Sequence, residues 1–442
     1  MLIFAPDSNY FIDYKMNILL LGSGGREHAF ARKIKQSPLC NELFIAPGNT
    51  GTAGFGINID MSVLDFESIK NCCLSNTIEM VIVGPEDPLV EGIYDYFERD
   101  NLLKNILVIG PSKNAAQLEG SKSFSKQFMQ RLNIPTASYA SFDISNFEEG
   151  LTYLEQHTLP IVLKADGLAA GKGVVICEST QQAKGVFTAM IKDKQFGEAS
   201  SSVVIEQFLD GIEISVFVLT DGADYKIIGH AKDYKRIGEG ETGPNTGGMG
   251  CVSPVPFADS AFMQKVEQRI IQPTIAGLKK ENLVYKGFLF FGLIKVEGEP
   301  FVIEYNCRMG DPETEVVLPR LQNDLVALCN SIYNGTLKEQ IIETDNRSCC
   351  TVVAVSGGYP NNYNKGMVMI GLDTERDDEN VIVFHAGTKK VGNNIVTNGG
   401  RVLTVTSFGN NIQQAVARSI AKLDTIGFEG MNFRKDIGYE FV

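Results

Sequence analysis

Short apolar segments alternate with helix-like segments along the first quarter of the chain. Four apolar runs, at residues 17–21, 43–46, 80–83 and 106–109, each end at a turn rich in Gly or Pro. Residues 26–36, after the first run, have the pattern of a helix. Buried strands separated by helices predict a parallel sheet with crossover helices. Ligands of such sheets bind beyond the carboxyl ends of the strands, where all four turns fall.

The middle of the chain changes to a mixed pattern that predicts a small α+β lobe inserted in a larger domain. Residues 235–250 carry six glycines and no long apolar run, which predicts a loop. A β-hairpin around Gly298 is predicted from residues 287–296 and 300–305. The remaining predicted elements are helices at 121–132 and 181–191 and strands at 160–165, 174–177, 203–206 and 212–219.

The last hundred residues are β-rich and end in a helix. Strands are predicted at 351–356, 381–385 and 402–407, and a helix at 411–423. The fold class is therefore multidomain, α/β and α+β, with a parallel-sheet N-terminal domain, a two-lobed middle domain and a β-rich C-terminal domain. The predicted boundaries are an N-terminal extension at 1–15, domains at 16–120, 121–340 and 341–442, and a small lobe at about 136–208.

Composition narrows the class of protein. Lys plus Arg is 40 and Asp plus Glu is 53, so the net charge of −13 argues against a general nucleic-acid surface. No apolar run approaches the roughly 20 residues that span a bilayer, and the N-terminus lacks the basic region of a secretory signal. Nine Cys include two adjacent pairs and no C-x-x-C, which favours reduced core thiols. We expect a cytoplasmic protein without nucleic-acid or membrane partners.

The string GSGGREH at 22–28 follows a strand and opens a helix. Free N–H groups and the helix dipole favour an anion there, and Arg26 and His28 would add donors. The dinucleotide fingerprint would need Gly at Glu27, and the second strand ends in Ala46 and Pro47 instead of an acid, so NAD binding is not predicted. The hypothesis is a small phosphorylated substrate, and the alternative is a tight turn needed only for packing.

A second glycine-rich string, GLAAGKG at 167–173, departs from the P-loop in spacing and in having Gly173 where Ser or Thr would hold magnesium. A flap that closes over phosphates fits better, with Lys164 and Lys172 meeting phosphate oxygens. The alternative is a surface hairpin. Further along, Glu206 could read an adenine edge and Glu213 a ribose, although each alone could be a solvated acid.

Glu304 and Asn306 lie two apart on a predicted strand and therefore on one face. Two neighbouring oxygen ligands, completed by phosphates, suit Mg²⁺. Arg308 would project from the same side and could bind an anionic transition state. An acid, an amide and an arginine on an otherwise apolar strand are hard to explain as packing.

Together and in this order, these elements resemble the ATP-grasp superfamily, and within it the phosphoribosylamine–glycine ligase family. The strings that carry the resemblance span nearly the whole chain beyond Met16. They are GSGGREH at 22–28, APGNTGTA at 46–53, VGPEDPLVEG at 83–92, QLEGSKSFSK at 117–126, KADGLAAGKGV at 164–174, KRIGEGETGPNTGGMG at 235–250, EYNCRMGDPETE at 304–315 and HAGTK at 385–389.

The resemblance implies a two-lobed ATP-grasp domain, ATP as co-substrate and Mg²⁺ or Mn²⁺ as cofactor. It implies that glycine is phosphorylated to glycyl phosphate, which the amine of 5-phosphoribosylamine attacks in purine biosynthesis. Such chemistry requires positioning and charge neutralisation and no nucleophilic Ser or Cys.

The resemblance also implies roles for individual residues. Arg308, Asp233 and Lys172 would be catalytic, and Glu304 and Asn306 would bind the metal. Nucleotide contacts would come from Lys122, Lys164, Gly171, Gly173, Glu206, Phe208 and Glu213. Substrate contacts would come from Gly24, Gly25, Arg26, Pro47, Gly48, Asn49, Arg236, Gly248 and Asp311. Residues 290–294 carry no acid for a second metal site, unlike many ATP-grasp enzymes.

Three other functions stay open from the sequence. One is another ATP-grasp ligase, such as a formate-using or carboxylating purine enzyme, against which the loop 242–250 and the turn 311–315 argue. Another is a non-catalytic nucleotide-binding scaffold, although the lysines and the acid–amide–arginine set are all present. The last is an oxidoreductase based on the turn at Gly22.

Overall fold

The computed structural model describes residues 15–169, 173–372 and 379–441. Within these ranges, thirteen strands join in one sheet, and the small lobe has a four-stranded sheet of its own. Over the same ranges, no helix combines the length and apolar character needed to cross a bilayer. The predicted fold class is confirmed, and the placement of the strands explains how distant parts of the chain meet.

The N-terminal region is the parallel α/β unit that the pattern predicts. Strand β1 pairs in parallel with β2 and β4, and β4 with β5, so their carboxyl ends lie along one edge. The strands are β1 (Met16–Gly22), β2 (Cys40–Pro47), β3 (Ile57–Asn58), β4 (Ile78–Val83) and β5 (Leu107–Pro111). The helices are α1 (Gly25–Lys35), α2 (Phe66–Ser75), α3 (Asp87–Glu91), α4 (Ile93–Arg99) and α5 (Gln117–Gly120).

The small lobe packs two helices on an antiparallel sheet around Phe142, Phe147 and Phe187. The strand order is β6-β9-β7-β8. The elements are α6 (Lys122–Arg131), which leads into the lobe, β6 (Tyr139–Asp143), α7 (Phe147–Gln156), β7 (Ile161–Ala165), β8 (Val174–Cys177), α8 (Thr180–Ile191) and β9 (Ser202–Gln207).

The larger lobe continues the long sheet through β10 (Ile212–Thr220) and β11 (Tyr225–Asp233). The prediction of a loop over 235–250 is wrong in part, because β12 (Arg236–Gly238) and β13 (Thr242–Asn245) form a short hairpin, followed by β14 (Gly250–Ser253). The predicted hairpin around Gly298 is confirmed as β15 (Tyr285–Val296) and β16 (Glu299–Asn306). The helices are α9 (Ser260–Val266), α10 (Gln272–Lys280), α11 (Thr314–Arg320) and α12 (Leu325–Asn334).

The C-terminal region is β-rich, as the pattern predicts. Its elements are β17 (Ser348–Val355), β18 (Val381–His385), β19 (Thr388–Val391), β20 (Asn394–Thr397), β21 (Arg401–Gly409) and α13 (Ile412–Leu423). Strand β17 pairs with β14, and β15 pairs with β5. These two pairings carry one sheet through all three predicted domains, whose boundaries stay a prediction, and bring the functional strings to a common region.

Candidate active site

Two lysines reach the cleft from neighbouring elements. Helix α6 begins at Lys122 because the Ser121 hydroxyl accepts a hydrogen bond from the Phe124 N–H at 3.1 Å, which caps the helix. The Lys122 Nζ donates to the Gly167 carbonyl at 3.2 Å, and burial lowers the pKa of Lys122. Lys164 on β7 places its Nζ 3.3 Å from the Ile303 carbonyl, next to Glu304. The predicted phosphate lysines therefore lie beside the predicted metal acid.

Glu206 is a buried carboxylate held between two lysines. Its Oε2 lies 3.0 Å from Lys164 Nζ and 3.0 Å from Lys126 Nζ. Burial alone would raise the pKa of Glu206, but the two ammonium groups outweigh it and lower the pKa. Its Oε1 is buried and has no hydrogen-bond partner among the described residues. The carboxylate is therefore an anion with one acceptor left for a donor, as the adenine-edge hypothesis requires.

Lys126 was not predicted, and helix spacing is the signal that could have found it. It lies four residues after Lys122 on α6, so both side chains share one face of the helix. Its side chain is 2% exposed, and burial lowers its pKa to about 8. A lysine buried this deeply needs a nearby anion, which Glu206 supplies.

We expect Lys126→Met to destabilise the protein by about 1–3 kcal/mol, because Glu206 loses one of its two charge-assisted hydrogen bonds. The KM for ATP should rise, since Glu206 is less firmly placed. Urea unfolding and ATP titration measure the two effects. Lys184→Met is the matched control, because Lys184 pairs with Glu155 at the surface and should cost under about 1 kcal/mol. Equal losses for both variants would contradict the role assigned to Lys126.

Glu213 opens β10 on the other side of the cleft, after the half-buried Phe208. The Lys235 ammonium lies 2.7 Å from the Glu213 Oε2 and lowers the pKa of that carboxyl. The Glu213 side chain is 46% exposed, so its other oxygen can reach a ligand hydroxyl. Lys235 was not among the predicted residues.

Glu304 and Asn306 lie on one face of β16, opposite Gly292 and Phe290 of β15. Gly292 leaves room for this side chain, because a Cβ on it would lie 3.0 Å from the Glu304 Cγ. Among the described residues, the buried Asn306 Nδ2 has no partner, and no group of three or more His, Cys, Asp or Glu could hold a metal. Two oxygen ligands that need phosphates to complete the shell fit a divalent cation brought in with a nucleotide.

Arg308 projects just beyond β16 and is held by two carboxylates from the N-terminal region. Its Nη2 lies 2.9 Å from the Glu119 Oε1 and its Nε 3.2 Å from the Glu86 Oε2. Burial opposes the charge, but Glu119 and Glu86 outweigh it and raise the pKa of Arg308. The Glu119 Oε2 also accepts the Cys307 N–H at 2.6 Å. Arg308 is thus a permanent cation in a fixed orientation, and sequence reasoning missed Glu119 entirely.

Asp233 ends β11 as a half-buried acid whose buried Oδ1 faces Gly248. Its Oδ1 has no hydrogen-bond partner among the described residues, and a Cβ on Gly248 would lie 2.8 Å from it. Gly248 also has φ +114°, which favours glycine. Burial and the neighbouring Glu313 raise the pKa of Asp233 well above its usual value. An unpartnered acid with a raised pKa can take up a proton at neutral pH.

The N-terminus of α1 is crowded by carboxylates, which changes the phosphate hypothesis for that turn. The Gly24 N–H donates to the Glu27 Oε2 at 2.6 Å, and Arg26 pairs with the Glu27 Oε1 at 2.5 Å. A Cβ on Gly24 would lie 2.9 Å from the Asp311 Oδ2, and one on Gly25 would overlap the Glu315 carboxyl. Asp311 itself pairs with Arg401 at 3.0 Å. The predicted residues do meet here, but these two donors are taken and carboxyl groups surround them.

The predicted residues Pro47, Gly48 and Asn49 join this turn to the C-terminal region. The Asn49 Nδ2 donates to the Ser23 and His385 carbonyls, both at 2.8 Å. The His28 ring is buried and its Nδ1 accepts the His385 N–H at 2.8 Å, which leaves Nε2 as the ring donor, so the donor role of His28 stays a prediction. Contacts between residues more than 300 positions apart, such as Asn49 and His385, leave no signal in the local sequence pattern.

The buried His28 should make the free energy of unfolding fall at acidic pH. Burial lowers the pKa of His28 to about 3, so between pH 6.5 and 3 the unfolded chain binds a proton that the folded chain does not. Stability therefore falls as the pH falls, by about 1 kcal/mol for this residue between pH 6.5 and 5.5. Urea unfolding at both pH values measures the slope. His28→Asn, whose amide oxygen can accept the same hydrogen bond, should reduce it, and His157→Asn on the small lobe should not.

Two predicted residues, Gly171 and Lys172, lie outside the described residues. Gly173 is described, and a Cβ on it would lie 2.7 Å from the Ala169 Cβ, so the backbone at Gly173 passes close to Ala169. Arg236 opens the β12–β13 hairpin and donates to the Gly243 carbonyl at 2.8 Å. The hairpin therefore stands next to Lys235 and the nucleotide side of the cleft.

Comparison with known proteins finds similarity along nearly the whole chain. Residues 16–119, 120–314 and 349–440 match the N domain, the ATP-grasp (A) domain and the C domain of phosphoribosylglycinamide synthetase. The chain is 45% identical over 430 residues to the phosphoribosylamine–glycine ligase of Vibrio cholerae, covering 97% of this chain and 99% of that one.

Two solved structures are similar to this chain over nearly its full length. The phosphoribosylamine–glycine ligase of Thermotoga maritima is 32% identical with a TM-score of 0.82, over 95% of this chain and 99% of that one. A biotin carboxylase complex from Campylobacter jejuni, 16% identical with a TM-score of 0.72 over 96% and 94% of the chains, shares the fold. The chain belongs to the phosphoribosylglycinamide synthetase family, the phosphoribosylamine–glycine ligases, which are carbon–nitrogen ligases.

Proposed function

We propose that this protein joins glycine to 5-phosphoribosylamine at the expense of ATP, giving glycinamide ribonucleotide, ADP and phosphate through glycyl phosphate, in the cytoplasm. The observation that carries the proposal is the convergence of phosphate lysines, an acid–amide pair and a fixed arginine. Lys164 lies 3.3 Å from the carbonyl preceding Glu304, and Arg308 follows four residues later on the same chain segment.

The nucleotide would lie between the lobes. Glu206 would accept from the adenine amino group through its unpartnered oxygen, and Glu213 would accept from the ribose. Lys122 and Lys164 would neutralise phosphate oxygens. Glu304 and Asn306 would hold Mg²⁺ or Mn²⁺, which when bound neutralises charge on the triphosphate.

The chemical steps then require that the two substrates and ATP be held in the correct orientation and that the charge developing on the transferring phosphoryl group be neutralised. A glycine carboxylate oxygen forms a bond to the terminal phosphorus while the bond from that phosphorus to ADP breaks. The amine of phosphoribosylamine next attacks the carbonyl carbon, and the carbon–oxygen bond to phosphate breaks. Arg308 would stabilise the transferring phosphoryl group, and Asp233 would take the proton that the attacking amine loses. The carboxylate-lined turn around Asp311 would bind the amine and hydroxyl groups of phosphoribosylamine.

The experiment follows an oxygen atom. Glycine labelled with ¹⁸O in its carboxylate should transfer one label to inorganic phosphate in every turnover, because that oxygen bridges carbon and phosphorus in glycyl phosphate. ADP release should require glycine and phosphoribosylamine together. Formate or bicarbonate in place of glycine should give no release, which separates this ligase from other ATP-grasp ligases. Unlabelled phosphate during product formation would refute the intermediate.

A further inference from the structure

The last described residues of the chain pack against one face of the segment 232–235, at the end of β11, and the opposite face of that segment lines the cleft. We name residues 434–441 the C-terminal brace. Lys232 and Tyr234 face this brace, because Lys232 Nζ lies 2.7 Å from the Glu440 Oε1 and the Tyr234 hydroxyl donates to the Glu440 Oε2 at 2.5 Å. Their neighbours Asp233 and Lys235 lie toward Gly248 and Glu213 in the cleft. Successive side chains of an extended segment point to opposite sides, so Lys232 and Tyr234 contact the brace while Asp233 and Lys235 point into the cleft.

Arg434 is the centre of the brace. Its side chain is 1% exposed, and it is paired through Nε and Nη2 with the two oxygens of Asp436, both at 2.8 Å. Its Nη1 lies 2.8 Å from the Glu241 Oε1 and 3.1 Å from the Arg236 carbonyl oxygen. A planar guanidinium with several donors can hold these three partners at once, which a lysine cannot do.

Two of the three partners of Arg434, Glu241 and the Arg236 carbonyl, lie on the β12–β13 hairpin, which follows Lys235 directly. Two further contacts fix the tip of the hairpin, because the Gly240 N–H donates to the Asp436 Oδ2 at 2.8 Å and the Lys435 N–H donates to the Glu239 Oε1 at 3.2 Å. The brace itself is anchored by the buried Ile437 and by the bridge between Asn432 and Val355 of β17. The hairpin is thus tied to the rigid C-terminal sheet.

We propose that the C-terminal brace is a positioning element of the active site, in which Arg434 fixes the hairpin and thereby the places of Asp233 and Lys235 at the cleft. Its kinetic consequence rests on the proposed function. The brace would act from the rear of the strand and touch no substrate, so it affects how well bound glycine and nucleotide are aligned.

The test uses the full chain and three variants. Glu241→Gln, on the partly exposed hairpin, replaces the ion pair between Glu241 and Arg434 by a neutral contact. Tyr234→Phe removes only the hydroxyl that donates a hydrogen bond to Glu440. Arg434→Met removes the guanidinium and all its contacts to the hairpin and to Asp436. It is used only if circular dichroism and thermal melting show that the variant is folded. The exposed Glu429→Gln, five residues before Arg434, is the matched control. Hydrogen exchange of residues 236–245 and the steady-state kinetics for glycine and ATP are measured for each.

We expect faster exchange of the hairpin amides and a rise of about tenfold in the KM for glycine in Glu241→Gln, with a smaller rise in Tyr234→Phe and none in the control. Faster hairpin exchange with unchanged kinetic constants would show a merely structural role and overturn the proposal. Unchanged exchange in both Glu241→Gln and Tyr234→Phe would overturn it as well. Wild-type protein without glycine-dependent ADP release would instead refute the proposed function, and the exchange data would still decide whether the brace holds the hairpin.

Discussion

Replacing Glu304 by Gln should lower kcat at least about 100-fold, which corresponds to about 2.7 kcal/mol of transition-state stabilisation. Glu304 is half-buried on β16, and its carboxylate makes no hydrogen bond or ion pair with another described residue, so it is available for a ligand. Glutamine keeps the shape of the side chain and loses the charge that a hard cation prefers. The fold should be retained, as judged by the melting temperature.

The control for this prediction lies at the start of the same strand. Glu299 is 40% exposed and pairs with Lys265 and Arg269 at the surface, so Glu299→Gln should leave kcat unchanged and cost under about 1 kcal/mol of stability. The dependence of rate on Mg²⁺ concentration is measured for both variants. A Glu304→Gln enzyme with near-normal turnover at saturating Mg²⁺ would remove Glu304 from the metal site.

Local patterns predicted the parts of the site that are local in the chain. The two-residue spacing of Glu304 and Asn306 requires a common face of a strand, and β16 provides it. The four apolar runs of the N-terminal region predicted parallel strands, and their pairing follows. Strong apolar runs bounded by Gly or Pro were therefore sufficient to predict most of the strands of the N-terminal region.

Contacts between distant segments could not be predicted in this way. Glu119 reaches the Cys307 N–H across 188 residues, and Asn49 reaches the His385 carbonyl across 336. Such pairs depend on how the strands are ordered in the sheet, which the local pattern does not encode. The hairpin over 236–245 was missed for the same reason, because a tertiary ion pair to Arg434 and a hydrogen bond to Asp436 hold a glycine-rich segment that has little strand propensity of its own.

Arg308→Lys should lower kcat by about 100- to 1000-fold with a smaller change in the KM for ATP. Lysine keeps the positive charge but cannot bind Glu119 and Glu86 through two separate nitrogens, as Arg308 does. Its ammonium would therefore not stand where the guanidinium of Arg308 is proposed to stabilise the transferring phosphoryl group. Rapid-quench measurement of the first turnover, compared with steady-state rates, shows whether the chemical step is the one that slows.

A double variant separates this catalytic role from the part Arg308 plays in stability. Burial raises the pKa of Glu119 to about 7 even beside Arg308, so in Arg308→Met this carboxyl is protonated at pH 7 in the folded chain and ionised in the unfolded chain, which should cost about 1–3 kcal/mol in urea unfolding. Adding Glu119→Gln removes the need for that proton and should restore much of that stability, because a neutral amide can still accept the Cys307 N–H. Activity should stay as low as in Arg308→Met, since no cation returns to the cleft. Recovery of turnover together with stability would mean that Arg308 acts only by holding the structure together, and its assignment to the transition state would be wrong.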